Sequence, residues 1–246
     1  MTTTGTSAFN MSLNDIVEEA FERAGAEVRT GYDLRTARRS LNLLTIEWAN
    51  KGINLWTIEQ GSIPLIQGQI TYTLPVDTID LAEHVIRTQT GVQQTDINIT
   101  RISVDTYSTI PNKNAQGRPI QVWINRQSGA TYPVGGQPNG TDPVTGVDSP
   151  TINVWPAPDQ NNYYTFVYWR LRRVQDAGNG IETQDIPFRF LPAMVAGLAY
   201  HLSVKLPDGA QRTPMLKQMY DEQWQMAADE DREKAALRVA PRQYFR

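Results

Sequence analysis

Apolar residues recur every three or four places over the first fifty positions. Ile16, Val17, Ala20, Phe21 and Ala24 fall on one side of a helix that Ser12 and Asp15 open as a capping box and Gly25 closes. After a turn at Gly31, the spacing repeats through Leu34, Ala37, Leu41, Leu44 and Trp48, with Asp33 placed to cap a second helix and Lys51 and Gly52 to stop it. So short a connection predicts an antiparallel pair. From about Leu55 the period drops to two. Ile63 and Leu65, then Ile70, Tyr72 and Leu74, flank the turn Gln67-Gly68-Gln69 and predict a hairpin. Further strands are expected over 85–90, 97–102, 120–126, 152–155 and 163–173, each bounded by Gly, Pro, Asn or Asp.

Residues 128–150 hold five glycines and four prolines and have hardly any large aliphatic side chains. They read as a long exposed loop of the kind that meets a partner or a neighbouring subunit. Helical spacing returns after Asp185. Leu191, Val195, Leu198 and Leu202 form a stripe, and Ala193, Ala196, Gly197 and Ala199 leave room for a second helix to approach. Pro207-Asp208-Gly209 ends that helix. Thr213, read as a capping hydroxyl, and Pro214, at the first helical position, start another, in which Leu216, Tyr220, Trp224 and Ala227 share a face that extends as far as Leu237. The expected class is α+β. A helical bundle is built from the N- and C-terminal helices (1–56 and 176–237), an antiparallel β domain (57–175) is inserted between them, and an extended C-terminal tail (238–246) follows.

Composition narrows the function. The 246 residues, 40% hydrophobic and 20% charged, can bury one sizeable core or two modest ones. With 23 Lys and Arg against 26 Asp and Glu, the formal net charge of -3 gives no general attraction to nucleic acid or to an anionic membrane. Cysteine is absent, which removes disulfides, thiolate metal sites and cysteine nucleophiles. No segment reads as a signal peptide or a bilayer span, and synthesis in the cytoplasm is expected. His84 and His201 lack partners at ligand spacing, and no P-loop, dinucleotide fingerprint or serine elbow occurs. The expectation is therefore no enzyme, no cofactor and no metal.

Four constellations are candidates for chemistry. Glu18, Glu19 and Glu22 with Glu47 would suit a virion-associated glycoside hydrolase, but the wet side of an amphipathic helix with a Glu19–Arg23 ion pair explains them more simply. Asp142, Asp148 and Asp159 would suit calcium, but their spacing fits no compact metal loop and turn formation is the simpler role. Tyr164, Phe166, Tyr168, Arg170 and Arg172 alternate along one strand as on a base-stacking platform. The preferred reading puts the rings in a core or subunit contact and the arginines at the exposed end. Trp123, Trp155 and Trp169, if exposed, would stack on sugars and make a carbohydrate-binding or host-recognition tail module.

Six pieces in order carry a resemblance to known proteins. They are Trp48-Ala49-Asn50-Lys51-Gly52 at the end of the helical pair; Gly68-Gln69-Ile70-Thr71-Tyr72-Thr73-Leu74-Pro75 with Asp77; Gly117-Arg118-Pro119 leading to Trp123 and Arg126; Trp155-Pro156-Ala157-Pro158-Asp159; the aromatic strand ending in Arg170; and Leu191-Pro192-Ala193 leading to Gly197-Leu198-Ala199-Tyr200. Over residues 11 to 228 the chain resembles the head-to-tail adaptor (connector) proteins of short-tailed bacteriophages, the group of tail tubular protein A and the packaged-DNA stabilisation proteins. The resemblance implies a homo-oligomeric, dodecameric ring under the portal protein that offers its other face to the tail nozzle or hub protein. Double-stranded DNA would pass through its lumen without sequence-specific binding, and no membrane would be involved. It also implies that the C-terminal segment reaches the portal. There Arg238, Arg242 and Arg246 alternate with Val239, Tyr244 and Phe245, and no acidic side chain follows Glu233. Aromatic anchors and forked guanidinium donors suit a groove in another protein.

Overall fold

The computed structural model describes Gly5, Phe9 and residues 11–52, 55–89, 91–126, 132–133, 143–144, 150–178, 181–207 and 209–231. Helices α1 (Leu13–Ala24) and α2 (Gly31–Lys51) come first. Strands β1 (Ile58–Pro64), β2 (Thr71–Thr73), β3 (Thr78–Thr88), β4 (Thr95–Asn98) and β5 (Thr100–Arg101) follow, then a short helix α3 (Val104–Ser108). Next come β6 (Gln121–Asn125), β7 (Tyr132–Pro133), β8 (Pro143–Val144), β9 (Thr151–Trp155) and β10 (Tyr164–Arg172), and last α4 (Leu191–Ser203) and α5 (Thr213–Glu230). The fold is mixed α and β. The described residues fall into two compact units, one drawn from Met1–Trp56 and Val174–Arg246, the other from Thr57–Arg173.

In the helical unit, α4 packs against α1, α2 and α5. It is apolar nearly all round, with Ala193 to Ala199 buried without a break, which is the pattern of a helix enclosed by others. Leu13, Ile16 and Phe21 of α1 and Leu41, Leu44 and Trp48 of α2 share one core with Met194 and Leu198 of α4 and Leu216, Tyr220 and Trp224 of α5. Each fully buried large side chain contributes about 1.5–3 kcal/mol. Ser12 and Asp15 form the expected capping box, and Gly25, at φ 87, closes α1 in a conformation that a side chain would strain.

Two caps differ from expectation. Thr30, not Asp33, is the N-cap of α2; Asp33 sits three residues inside and completes a second capping box. Thr213 does not cap α5. Arg212 holds the cap position, and the Thr213 hydroxyl donates back to the Gly209 carbonyl at 3.1 Å. That bond satisfies the preceding turn instead of the helix's own first amides. The expected end of this helix at Leu237 lies outside the described residues.

In the β unit, two four-stranded sheets run in the orders β1-β10-β3-β4 and β2-β9-β6-β5, and β7 pairs with β8. Leu81 and Ile86 of β3 and Tyr164, Phe166 and Tyr168 of β10 meet Tyr72, Val122, Ile124, Ile152 and Val154 of the other sheet in one core. That is a sandwich.

The predicted hairpin does not form. β1 runs antiparallel to β10, while β2 runs antiparallel to β9 in the other sheet. The intervening turn is tied instead to the β9–β10 connection, Gly68 N donating to Pro158 O at 2.9 Å and Leu65 N to Tyr164 O at 2.8 Å. The two connections therefore change sheets together. A period of two records which face is buried, not which strand lies alongside. The expected strand over 97–102 also divides, because the chain passes at the buried Ile99 from β4 in one sheet to β5 in the other. The β domain is not wholly antiparallel either, since β5 pairs parallel with β6. Within the expected loop 128–150, the antiparallel pair β7–β8 and Pro150 are described, and the remaining positions lie outside the described residues.

Candidate functional site

The strand arginines are placed otherwise than expected. Tyr164, Phe166 and Tyr168 fill the sandwich core, but Arg170 and Arg172 are not at an exposed end: their side chains are only 11% and 14% accessible. The β10–β3 register shifts between Trp169 and Arg170 and again between Leu171 and Arg172, and such bulges re-aim side chains. Arg170 then spans two carboxylates and a hydroxyl. Its Nη1 donates to Asp77 Oδ1 at 2.5 Å and to Thr78 Oγ1 at 3.0 Å, and its Nη2 donates to Glu59 Oε2 at 2.8 Å. Arg172 Nε meets the other Glu59 oxygen at 2.8 Å. The Arg170 guanidinium holds the Asp77 carboxyl below its usual range. Burial opposes the charge on Arg170, but Asp77 and Glu59 outweigh it. This is a clamp that ties β1, β10 and the start of β3, and both guanidinium groups are occupied within it.

A second network links α2, α4 and α5. The Tyr220 hydroxyl accepts from Trp48 Nε1 at 2.9 Å and Lys51 Nζ at 3.2 Å, and donates to Glu47 Oε1 at 3.0 Å. Lys51 also pairs with Glu47 at 2.9 Å, and His201 Nε2 lies 3.5 Å from the other Glu47 oxygen. Burial raises the Tyr220 phenol far above its usual value, and the neighbouring Glu47 carboxylate adds to the rise. Partial burial pushes Glu47 up, yet Lys51 and Tyr220 outweigh it and hold the group below the usual carboxylate value.

The proposed carboxylate pair is not assembled. Glu47 belongs to this network, Glu19 binds Arg23 at 2.7 Å, and Glu18 and Glu22 are exposed on α1. Asp142 and Asp148 lie outside the described residues, and no three His, Asp or Glu side chains cluster as metal ligands among the described ones. Trp123 and Trp155 are partly covered. Tyr107 stacks on Trp123 at 5.0 Å, and Trp155 Nε1 donates to Asn112 O at 3.0 Å. Trp169 stands in the other sheet, so the three make no common platform. His84 of β3 stacks on Phe166, and burial, helped by Arg101, lowers its pKa. The expected portal-binding residues Arg238, Val239, Arg242, Tyr244, Phe245 and Arg246 all lie outside the described residues.

Reading only core positions missed the outer face of α2. An open depression there is lined by Tyr32, Arg35, Arg38, Arg39 and Asn42. Arg38 donates to the Ala177 carbonyl at 3.3 Å and the Asn42 side chain accepts from the Ala177 amide at 2.8 Å, which anchors its floor. Farther along the helix Leu43 and Ile46 stand 60% and 56% exposed. The signal was legible, because Tyr32, Arg35, Arg39, Leu43 and Ile46 recur three or four apart, out of phase with the core stripe. Among the described residues, no helix is long and apolar enough to cross a membrane.

Comparison with known families gives the class: the chain is a structural adaptor of a bacteriophage particle. Residues 11–242 match the family model described as SU10 adaptor protein, and the chain belongs to that family of phage head–tail adaptors. Its place is the virion. No curated protein matches the chain.

Proposed function

We propose that the protein forms a closed ring, dodecameric as the resemblance implies, that joins the portal to the tail nozzle and continues the channel for DNA. The family match over residues 11–242 carries this reading. A ring of identical copies needs two different complementary surfaces on each, and a chain that folds into two compact units offers several. Residues 1–56 with 176–237 serve in this reading as a bundle that forms the body of each protomer, and residues 57–175 as the inserted β domain. The net charge of -3 suits passage of DNA, because a lumen rich in lysine and arginine would hold phosphates.

Attachment to the portal falls to the C-terminal segment, with Tyr244 and Phe245 as anchors and Arg238, Arg242 and Arg246 as donors to carboxylates or carbonyls. Deleting Ala235 to Arg246 tests this. The truncated protein is expected to keep its circular dichroism spectrum and melting temperature and to lose co-sedimentation with portal rings. Undiminished co-sedimentation overturns the assignment of the tail.

A further inference from the structure

The helical unit carries two exposed stripes of opposite character. On α2, Tyr32, Arg35, Arg39, Leu43 and Ile46 follow one another at spacings of three and four on the side facing away from Ala37, Leu41, Leu44 and Trp48. On α5, Met215, Met219, Glu222, Met226 and Asp229 do the same, away from Leu216, Tyr220 and Trp224. One stripe is apolar and basic, the other apolar and acidic. Single exposed apolar residues are ordinary, but leucine and isoleucine on one helix and three methionines on the other, each aligned at contact spacing with charge of one sign, suit a partner of the opposite character.

We propose that these stripes are the two halves of the contact between neighbouring copies: α5 of one protomer lies along α2 of the next, with Glu222 and Asp229 facing Arg35 and Arg39. This rests on the ring reading above and specifies its subunit interface. Each copy then offers two unlike stripes, one to each neighbour, which is the heterologous arrangement a ring requires. Beside the α2 stripe lies a depression lined by Tyr32, Arg39, Leu43, Lys205 and Leu206 over the buried Phe21 and Leu202, and unbranched methionine side chains adapt to such a surface. Charge complementarity selects the partner and sets the orientation of docking, while the buried apolar residues hold it. A DNA backbone would use the two arginines but would leave Leu43 and Ile46 in water, and it would leave the α5 stripe without a partner.

The absence of natural cysteine makes the test direct. Full-length protein carrying Leu43→Cys and Met219→Cys is loaded on portal rings, oxidised and analysed for disulfide-linked multimers. Multimers are expected. Adding Arg35→Glu with Arg39→Glu, or Glu222→Lys with Asp229→Lys, should weaken lateral linkage by roughly tenfold or more. Mixing the two charge-reversed proteins should restore it, because each then meets its complement; that rescue also shows both variants are folded. If the protein loads on the portal but charge reversal leaves linkage unchanged, or the disulfides join it to portal protein instead of to other copies, this interface is wrong and the adaptor reading stands. If nothing loads on the portal, the portal-joining ring falls together with this interface. Reversal at Arg35 and Arg39 that keeps the multimers and lowers DNA retention assigns the α2 face to DNA and also overturns the proposal.

Discussion

Arg170 shows how a single residue changes meaning between pattern and structure. In sequence it continues an aromatic face and ends it with charge; in the fold two register shifts turn it onto Asp77, Thr78 and Glu59. Replacing it with leucine leaves Asp77 without its forked partner while Glu59 keeps Arg172, and because both carboxylates are partly exposed the expected loss is about 1 kcal/mol, read from the urea midpoint. Arg170→Lys should recover little of that, since one ammonium cannot fork between Asp77 and Glu59. His84 gives a pH-dependent counterpart. Burial and Arg101 hold its folded pKa below that of the unfolded chain, about 6.5. Above that pH both states are neutral and nothing changes. As pH falls below it, the unfolded chain takes up the proton first, and stability declines until the folded group titrates too. The slope of stability between about pH 6.5 and pH 5 should be shallower in His84→Gln than in the parent. Identical slopes in paired urea titrations would show that His84 contributes nothing.

Elements were legible where their determinants are local. Both capping boxes, the Gly25 and Gly52 stops and the three-four spacing all lie within a few residues of the helix they define. That is why α1, α2, α4 and the start of α5 could be read from one chain, although the capping residues of α2 and α5 were misplaced and the short α3 was not expected. Strands were located but mispaired, because the partner of β1 is β10, about a hundred residues away. Helix contact adds a testable constraint. A Cβ on Gly197 would stand 2.9 Å from the Tyr220 ring and 3.0 Å from Leu44. Tyr220 cannot swing aside without breaking its bonds to Trp48, Lys51 and Glu47. Gly197→Val should therefore cost about 1–3 kcal/mol of stability in thermal or chemical unfolding. An unchanged midpoint would show that α4 and α5 separate more freely than their packing implies.

At the scale of the whole molecule, the proposed contact residues fall in two groups, one in the C-terminal tail and one on the outer sides of α2 and α5. The tail residues from Arg238 to Arg246 rest on composition and on the resemblance, and their test is biochemical. The α2 and α5 stripes became visible once the buried side of each helix was known, which leaves the opposite side to be read for what it carries. By itself the sequence determined the α+β class, the positions of α1, α2, α4 and the start of α5, the faces that most strands bury and the family, because period, caps and ordered motifs are properties of neighbouring residues. Only the tertiary structure decided which strands pair, that β4 and β5 part at Ile99, that Arg170 is clamped and not exposed, and which apolar helix residues remain uncovered. Those outcomes depend on segments far apart in the chain being brought together, and no local pattern encodes the partner.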